Sequence, residues 1–241
     1  MAETGTAFIT GADRGLGLAL CAGLLERGWQ VFAGQYMPDW PEQAALAAQY
    51  PGSLSLVALD VSSLDSARAA AQLLAKAGAP IDLLINNAGV ASPTSQNLIQ
   101  NGLDYAELHR LYDVNAAGPL RVVEAFLPLM SASPLKRLCF VSSEAGSIER
   151  CQRTAWFGYC MSKAALNMGV KILFNALRPQ GYTFRIYHPG WMRSYMGGKK
   201  NPQADMEPEE AAAKALPIFL QALPDEDHLV LLDYQGQAWP W

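Results

Sequence analysis

Tyr159 and Lys163 stand four residues apart in Tyr159-Cys160-Met161-Ser162-Lys163. If the segment from Thr154 onward is helical, that spacing puts phenol and ammonium on one helix face. A phenol beside an ammonium is poised as a proton donor, because the cation favours phenolate and lowers a pKa that is otherwise about 10. Alone, the pair is equally what an ordinary surface helix carries. A second feature changes its meaning: the turn Thr10-Gly11-Ala12-Asp13-Arg14-Gly15-Leu16-Gly17, which follows the apolar run Ala7-Phe8-Ile9-Thr10. Glycines between a strand and a helix allow a tight turn and close backbone approach to a pyrophosphate, whose charge is met by the N–H groups and dipole at the helix start. A dinucleotide cradle and a proton donor together are the equipment of a reductase.

The elements that must position these groups follow from the apolar pattern. Leu16 to Arg27 reads as a helix, with Leu16, Leu20, Leu24 and Leu25 on one side and Gly28 closing it. Further apolar runs, each separated by helical patterns, are Trp29–Ala33, Leu54–Leu59, Ile81–Ile85, Leu138–Val141, Phe184–Tyr187 and Leu229–Leu232. With the first strand these predict a seven-stranded parallel sheet with right-handed crossovers and helices on both faces, a doubly wound α/β fold that binds ligands beyond the carboxyl ends of its strands. Polar or turn residues occur at those ends: Asp60-Val61, Asn86-Asn87-Ala88-Gly89, Ser142-Ser143 and Pro189-Gly190. Any one could be a plain strand-ending turn. Their joint placement marks a site.

The 241 residues suit one α/β domain spanning the chain, with no repeat or linker-like shift in composition. A formal charge of −4 without a basic stripe argues against nucleic acid and anionic membrane as partners. No apolar run approaches the roughly 20 residues that span a bilayer, and Met1-Ala2-Glu3-Thr4 lacks the start of a signal peptide, so a cytoplasmic enzyme is expected. Cys21, Cys139, Cys151 and Cys160 show no Cys-x-x-Cys spacing; buried free thiols are expected rather than a disulfide framework or a metal site.

Taken in order, Thr10-Gly-x-x-x-Gly15-x-Gly17, Asp60-Val61, Asn86-Asn87-Ala88-Gly89, Asn115, Ser143, Tyr159-x-x-x-Lys163 and Pro189-Gly190 with Ser194 shortly after resemble the short-chain dehydrogenase/reductases of the classical type over nearly the whole length. The run from His188 to Gly198 and the closing Pro240-Trp241 look most like the carbonyl reductase branch that includes Sniffer and C-factor-like proteins. The resemblance implies a single Rossmann-type domain. It implies a substrate carbonyl bonded by Ser143 and protonated by Tyr159 while a nicotinamide delivers hydride to its carbon. Lys163 would also hold the nicotinamide ribose, and Asn115 would anchor a water behind it, although an asparagine there can equally serve a helix kink. Gly11, Asp13, Arg14, Gly15, Leu16, Gly17, Gln35, Asp60, Val61, Asn87, Ala88, Gly89, Pro189, Gly190, Met192 and Ser194 would line the dinucleotide. Ser194 stands where the family usually has threonine, and Tyr195 where the branch often has aspartate. Ser143 and Tyr159 are 159 − 143 = 16 residues apart, a few more than the commonest pattern, which implies an insertion within Ile148–Trp156 at the substrate mouth.

Dinucleotide binders that prefer NAD place a carboxylate on the adenosine ribose about 20 residues past the glycine turn. That place is Gln35, and Arg14 precedes Gly15 where a guanidinium can pair a 2′-phosphate, so NADPH is favoured over NADH. A solvated turn arginine is the plainer use of Arg14, and Tyr36 stands where a basic residue is often found. The leading reading is an NADPH-dependent reductase of a ketone or aldehyde; a non-catalytic nucleotide-binding scaffold of the same fold and a sugar-nucleotide epimerase or dehydratase are its rivals. Trp156, Phe157, Trp191, Tyr195 and Met196 suggest an apolar or aromatic substrate, or serve as core and contact residues. Low charge and high apolar content suggest a homo-oligomer, dimer or tetramer, joined through long helices spanning Gly102–Met130 and Trp156–Leu177.

Overall fold

A computed structural model of the chain describes residues 4–78, 80–92, 96–196 and 200–241. Met1-Ala2-Glu3 and the last two residues of the run ending at Gly198 lie outside the described residues. The apolar runs pair as β1 (Thr6–Ile9), β2 (Gln30–Gln35), β3 (Leu54–Ala58), β4 (Leu83–Asn86), β5 (Arg137–Val141), β6 (Thr183–His188), β7 (Leu231–Asp233) and β8 (Ala238–Trp239). They form one sheet in the order β3-β2-β1-β4-β5-β6-β7-β8, parallel throughout except for β8, which turns back antiparallel on β7. The sheet therefore has eight strands rather than seven; β8 is two residues long, too short to show alternation. The fold is a Rossmann-like α/β domain.

Every residue of β4 and of β5 is buried, as central parallel strands covered on both faces must be. Alternate side chains feed two cores. Phe8, Leu84, Leu138 and Phe140 pack with α3 (Leu64–Lys76), α5 (Gly118–Met130) and α6 (Phe157–Leu177), whereas Ala7, Ile9, Ile85 and Cys139 pack with α1 (Gly15–Leu25) and α7 (Pro208–Leu220). Helix α2 (Pro41–Gln49) follows β2, and α4 (Tyr105–Tyr112) precedes α5. Ser63 and Asp104 cap α3 and α4 by accepting the Ser66 and Glu107 N–H groups at 3.2 and 3.0 Å.

The long helix expected over Gly102–Met130 is broken by a π-turn at Asp113–Ala117. Pro119 has no N–H to give the carbonyl of Asn115, so the ordinary helical bond is lost there and the backbone widens. The thiols also divide: Cys21 and Cys139 are buried, Cys139 being pushed up to about 12 by burial, but Cys151 is exposed in the irregular segment after Ser143. No helix among the described residues is long and apolar enough to cross a membrane.

Chain order reverses between β1, which leads to β2 on one side, and β4 on the other, and this switch point opens a crevice at the carboxyl ends of the strands. The opposite end is closed by two buried arginines. Arg185 donates to both oxygens of Glu226 at 2.7 and 2.8 Å and to the Ile218 and Gln221 carbonyls; Arg137 donates to those of Phe219 and Gln221. The last carbonyls of α7 are thereby satisfied. Burial opposes ionisation of Glu226, yet the Arg185 guanidinium holds its carboxyl below the ordinary 4.5. A carboxyl lowered in the folded state stabilises above its unfolded value and ceases to as pH falls through the folded one. Glu226→Gln should therefore lower the urea-unfolding free energy at pH 7 by about 3–5 kcal/mol, since it leaves buried guanidinium charge uncompensated. The difference from wild type should shrink as pH is taken below 4.5; an unchanged urea midpoint at pH 7 would refute the assignment.

Candidate active site

The glycine turn is locked to the end of β4. Thr10 Oγ1 accepts the Asn87 and Ala88 N–H groups at 3.0 and 2.9 Å, and Asn87 Nδ2 donates to the carbonyls of Thr10 and Gly11 at 2.9 and 3.0 Å. Gly11 has φ +61° with Ala88 Cα 2.8 Å from where a Cβ would stand, and a Cβ on Gly17 would collide with the Gly11 carbonyl and Asn87. Gly15, also left-handed at φ +58°, instead faces open space, so its backbone is bare toward the crevice. Arg14 caps α1 in extended conformation without a side-chain cap bond, and the first turn carries no acidic residue. Bare N–H groups, an uncompensated dipole and a turn without side chains fit a pyrophosphate. Leu16 is buried and seats α1 on the sheet.

Arg14 lies at the outer end of this turn. Its guanidinium sits 4.4 Å from the Trp40 ring centroid and 5.2 Å from that of Tyr195, and Nη2 donates to the Tyr195 carbonyl at 3.3 Å. Gln35 ends β2 and contacts the Pro38 carbonyl. A carboxylate stands nearby after all: Asp13 Oδ1 accepts the N–H groups of Tyr36 and Met37 at 2.8 and 2.6 Å, which shapes the loop after β2. Asp60 Oδ1 likewise accepts from Ser62 N and Oγ, and Val61 packs on Gly118.

The second group gathers around α6, whose first residues follow Trp156 in the left-handed region at φ +67°. Ser143 stands beside the Tyr159 phenol, and its Oγ accepts the Ala145 N–H at 3.1 Å. The neighbouring Ser142 donates instead to Asn167 Oδ1 at 2.6 Å. Lys163 is buried, with Nζ donating to the Val141 carbonyl at 3.0 Å and 5.8 Å from the Tyr159 ring centroid. Burial lowers its pKa to about 8. Burial pushes Tyr159 up to about 12, against the opposing influence of Ser143. The expected lowering by Lys163 is not found, because the ammonium donates to a strand carbonyl and stands 5.8 Å from the phenol ring centroid.

Asn115 sits in the π-turn, fully buried. Its Oδ1 accepts the Val90 N–H at 2.8 Å, and Nδ2 donates to the Val90 carbonyl at 2.9 Å and to Ser162 Oγ at 3.0 Å, which donates in turn to the Tyr159 carbonyl at 2.8 Å. Its side chain is therefore a tie between the loop after β4 and α6. A Cβ on Gly89 would stand 3.4 Å from Asn115 Oδ1 and 3.6 Å from Lys163 Nζ, so this glycine keeps the floor between them open.

After β6, Pro189 is buried and Gly190, at φ +79°, passes so close to Met206 and Tyr234 that no side chain would fit. Residues 191–196 run back over the crevice as a strap, held by the Met192 bridge to Met206, the Arg193 N–H on the Met206 carbonyl at 2.9 Å, and the Ala91 N–H on the Met196 carbonyl at 3.4 Å. Ser194 lies on this strap, its N–H on the Met192 carbonyl. The segment 148–156 packs against the chain's last residues: the Glu149 N–H donates to the Trp241 carbonyl at 3.0 Å, and Arg150 lies over Trp239 at 4.7 Å. Arg153 closes on Glu144, next to Ser143, with two bonds of 2.9 and 2.6 Å. Trp40, Ser162 and Asn167 contact the candidate site residues and were missed by sequence reasoning; only Ser162, inside the Tyr-x-x-x-Lys segment, stood next to a usable signal.

Residues 5–205 match the family model for short chain dehydrogenase. The chain is 38% identical over 162 residues to C-signal of Myxococcus xanthus, covering 67% of this chain and 93% of that one. Among solved structures, an NADPH-bound carbonyl reductase from chicken fatty liver superposes with a TM-score of 0.87 at 30% identity, covering 98% of both chains. Carbonyl reductase Sniffer of D. melanogaster does so with 0.88 at 25% identity, covering 99% of this chain and 100% of that one. With the glycine turn, the Tyr159 and Lys163 pair and the whole sheet order accounted for in these terms, the chain belongs to the short-chain dehydrogenase family, in its carbonyl reductase and Sniffer-like branch.

Proposed function

We propose that the protein reduces the carbonyl of a small ketone or aldehyde to an alcohol with NADPH. The observation that carries this reading is the placing of Ser143 beside the Tyr159 phenol at the crevice, with a buried Lys163 one turn along the Tyr159 helix. When bound, the nicotinamide supplies the hydride. Ser143 and Tyr159 offer two hydroxyls to one carbonyl oxygen, and Tyr159, protonated at neutral pH, gives that oxygen its proton. Lys163, buried without a carboxylate partner among the described residues, sets positive charge beneath the phenol as negative charge develops there. Trp156, edge-on to the Tyr159 ring at 6.1 Å, offers an apolar wall that suits an apolar or aromatic substrate.

A panel of ketones and aldehydes followed at the NADPH absorbance band tests the activity. With a competent substrate, Tyr159→Phe should retain the fold and lower single-turnover reduction by about 10²–10⁴. A variant within a factor of about three of wild type would defeat the assignment. Because Lys163 is held at about 8, wild-type reduction should decline as pH rises through that value, well before Tyr159 ionises at about 12.

NADPH is supported by Arg14, which meets no carboxylate among the described residues, and by Gln35. Asp13 does not oppose it strongly, since one of its oxygens is taken by two N–H groups. Arg14→Ala should weaken NADPH relative to NADH by about tenfold or more, and Gln35→Asp should move preference toward NADH. Equal weakening of both cofactors by Arg14→Ala, or tighter NADH binding by wild type, would remove NADPH from the proposal.

We propose too that two chains associate through α4, α5 and α6. Met161, Met168 and Ile172 form an exposed stripe along α6, continued by Leu120 of α5, which Gly169 of α6 faces, and by Tyr105 and Tyr112 of α4. Patches of that kind are unusual on monomers. Sedimentation should show a dimer or tetramer at micromolar concentration that Met168→Glu with Ile172→Glu converts to monomer; a monomeric wild type would end this proposal.

A further inference from the structure

The Arg14 guanidinium lies between two aromatic rings that come from opposite sides of the β1–β4 switch point: Trp40 from the loop after β2, at 4.4 Å, and Tyr195 from the strap after β6, at 5.2 Å. The two rings also meet each other edge-on, 5.2 Å apart at 69°. The guanidinium spends one N–H on the Tyr195 carbonyl and keeps the rest of its five donors. Charge is uncompensated there among the described residues, so the group is neither a surface ion pair nor a buried structural one. An arginine on an open turn is otherwise free to sample many rotamers, and ordering it opposes binding. Ring faces hold the guanidinium plane by cation–π attraction without using up its donors.

Tyr195 follows Ser194 directly, so the strap that reaches toward the nicotinamide end of the crevice is the same one that grips Arg14 at the adenosine end. Its aromatic ring, which the sequence left open as a substrate-side or a contact residue, faces the Arg14 guanidinium. We infer that Trp40 and Tyr195 are positioning residues that hold the Arg14 guanidinium for an adenosine 2′-phosphate, so that discrimination between phosphorylated and unphosphorylated dinucleotide depends on the strap as well as on the glycine turn. This rests on the NADPH reading.

Calorimetric titration of the full chain with adenosine 2′,5′-bisphosphate and with 5′-AMP isolates the 2′-phosphate and needs no turnover. Wild type should prefer the bisphosphate. Trp40→Leu, Tyr195→Leu and Tyr195→Ala should each reduce that preference by about three- to tenfold, the size expected for a lost cation–π contact, with little change for 5′-AMP. Tyr195→Phe, which keeps the ring, should restore the preference to near wild type. Tyr195→Leu retains an apolar contact, so a fold defect in the alanine variant cannot stand in for the effect. If wild type shows no preference, the NADPH reading itself fails. If wild type prefers the bisphosphate and the leucine variants do too, the positioning role fails while NADPH stands. If Tyr195→Phe is as impaired as Tyr195→Leu, ring stacking is not the interaction, and the inference is overturned.

Discussion

Four hydrogen bonds between Thr10-Gly11 and Asn87-Ala88 hold the crevice in shape. They join the carboxyl ends of β1 and β4, the two strands from which the chain departs in opposite directions, and strand pairing alone would leave these ends free to splay. Gly11 and Gly17 are glycines because this stitch brings backbone within contact distance of backbone. Everything on the adenosine side hangs from the turn so fixed: α1, the Arg14 guanidinium and, through Asp13, the loop that carries Trp40. On the other side the Asn86-to-Gly89 segment leads to Val90, which Asn115 ties to Ser162 and hence to the backbone of Tyr159.

The chemical end of the site is costly to fold. Lys163 is buried with a carbonyl as its bonding partner and Tyr159 is half-buried, and the loss of surrounding water displaces both toward their neutral forms. Such shifts cluster where groups must exchange protons. The long α6 helix carries that cost because it is buried along one side by Leu166, Val170, Phe174 and Leu177 against the sheet.

The strands, the residues at their carboxyl ends and the spacing of Tyr159 from Lys163 were legible because each is a local pattern: an apolar run, a turn residue, a helical repeat. What escaped was set by distance or by burial. Arg14 meets Tyr195 181 positions away, which no local period can announce. The direction of the Tyr159 shift depends on how completely the fold encloses the phenol, a quantity absent from the motif. The break within Gly102–Met130 did have a signal, Gly118-Pro119, outweighed by an otherwise continuous helical pattern. Asp13 was placed along the dinucleotide, and only the fold showed that one of its carboxylate oxygens accepts two backbone N–H groups of the loop after β2.

The short antiparallel strand at the end of the sheet matters for how the protein survives in concentrated solution. A parallel sheet ending at β7 would present that strand's unpaired N–H and C=O groups as a template for other chains. Gly236, at φ +78°, turns the backbone so that β8 covers β7, and the new edge is only two residues long. Trp239 Nε1 then donates to Asp233 at 2.9 Å, pinning the flap shut. Loss of that pin would bare the β7 ladder, so the visible consequence of damage at Asp233 or Trp239 would be aggregation rather than altered chemistry.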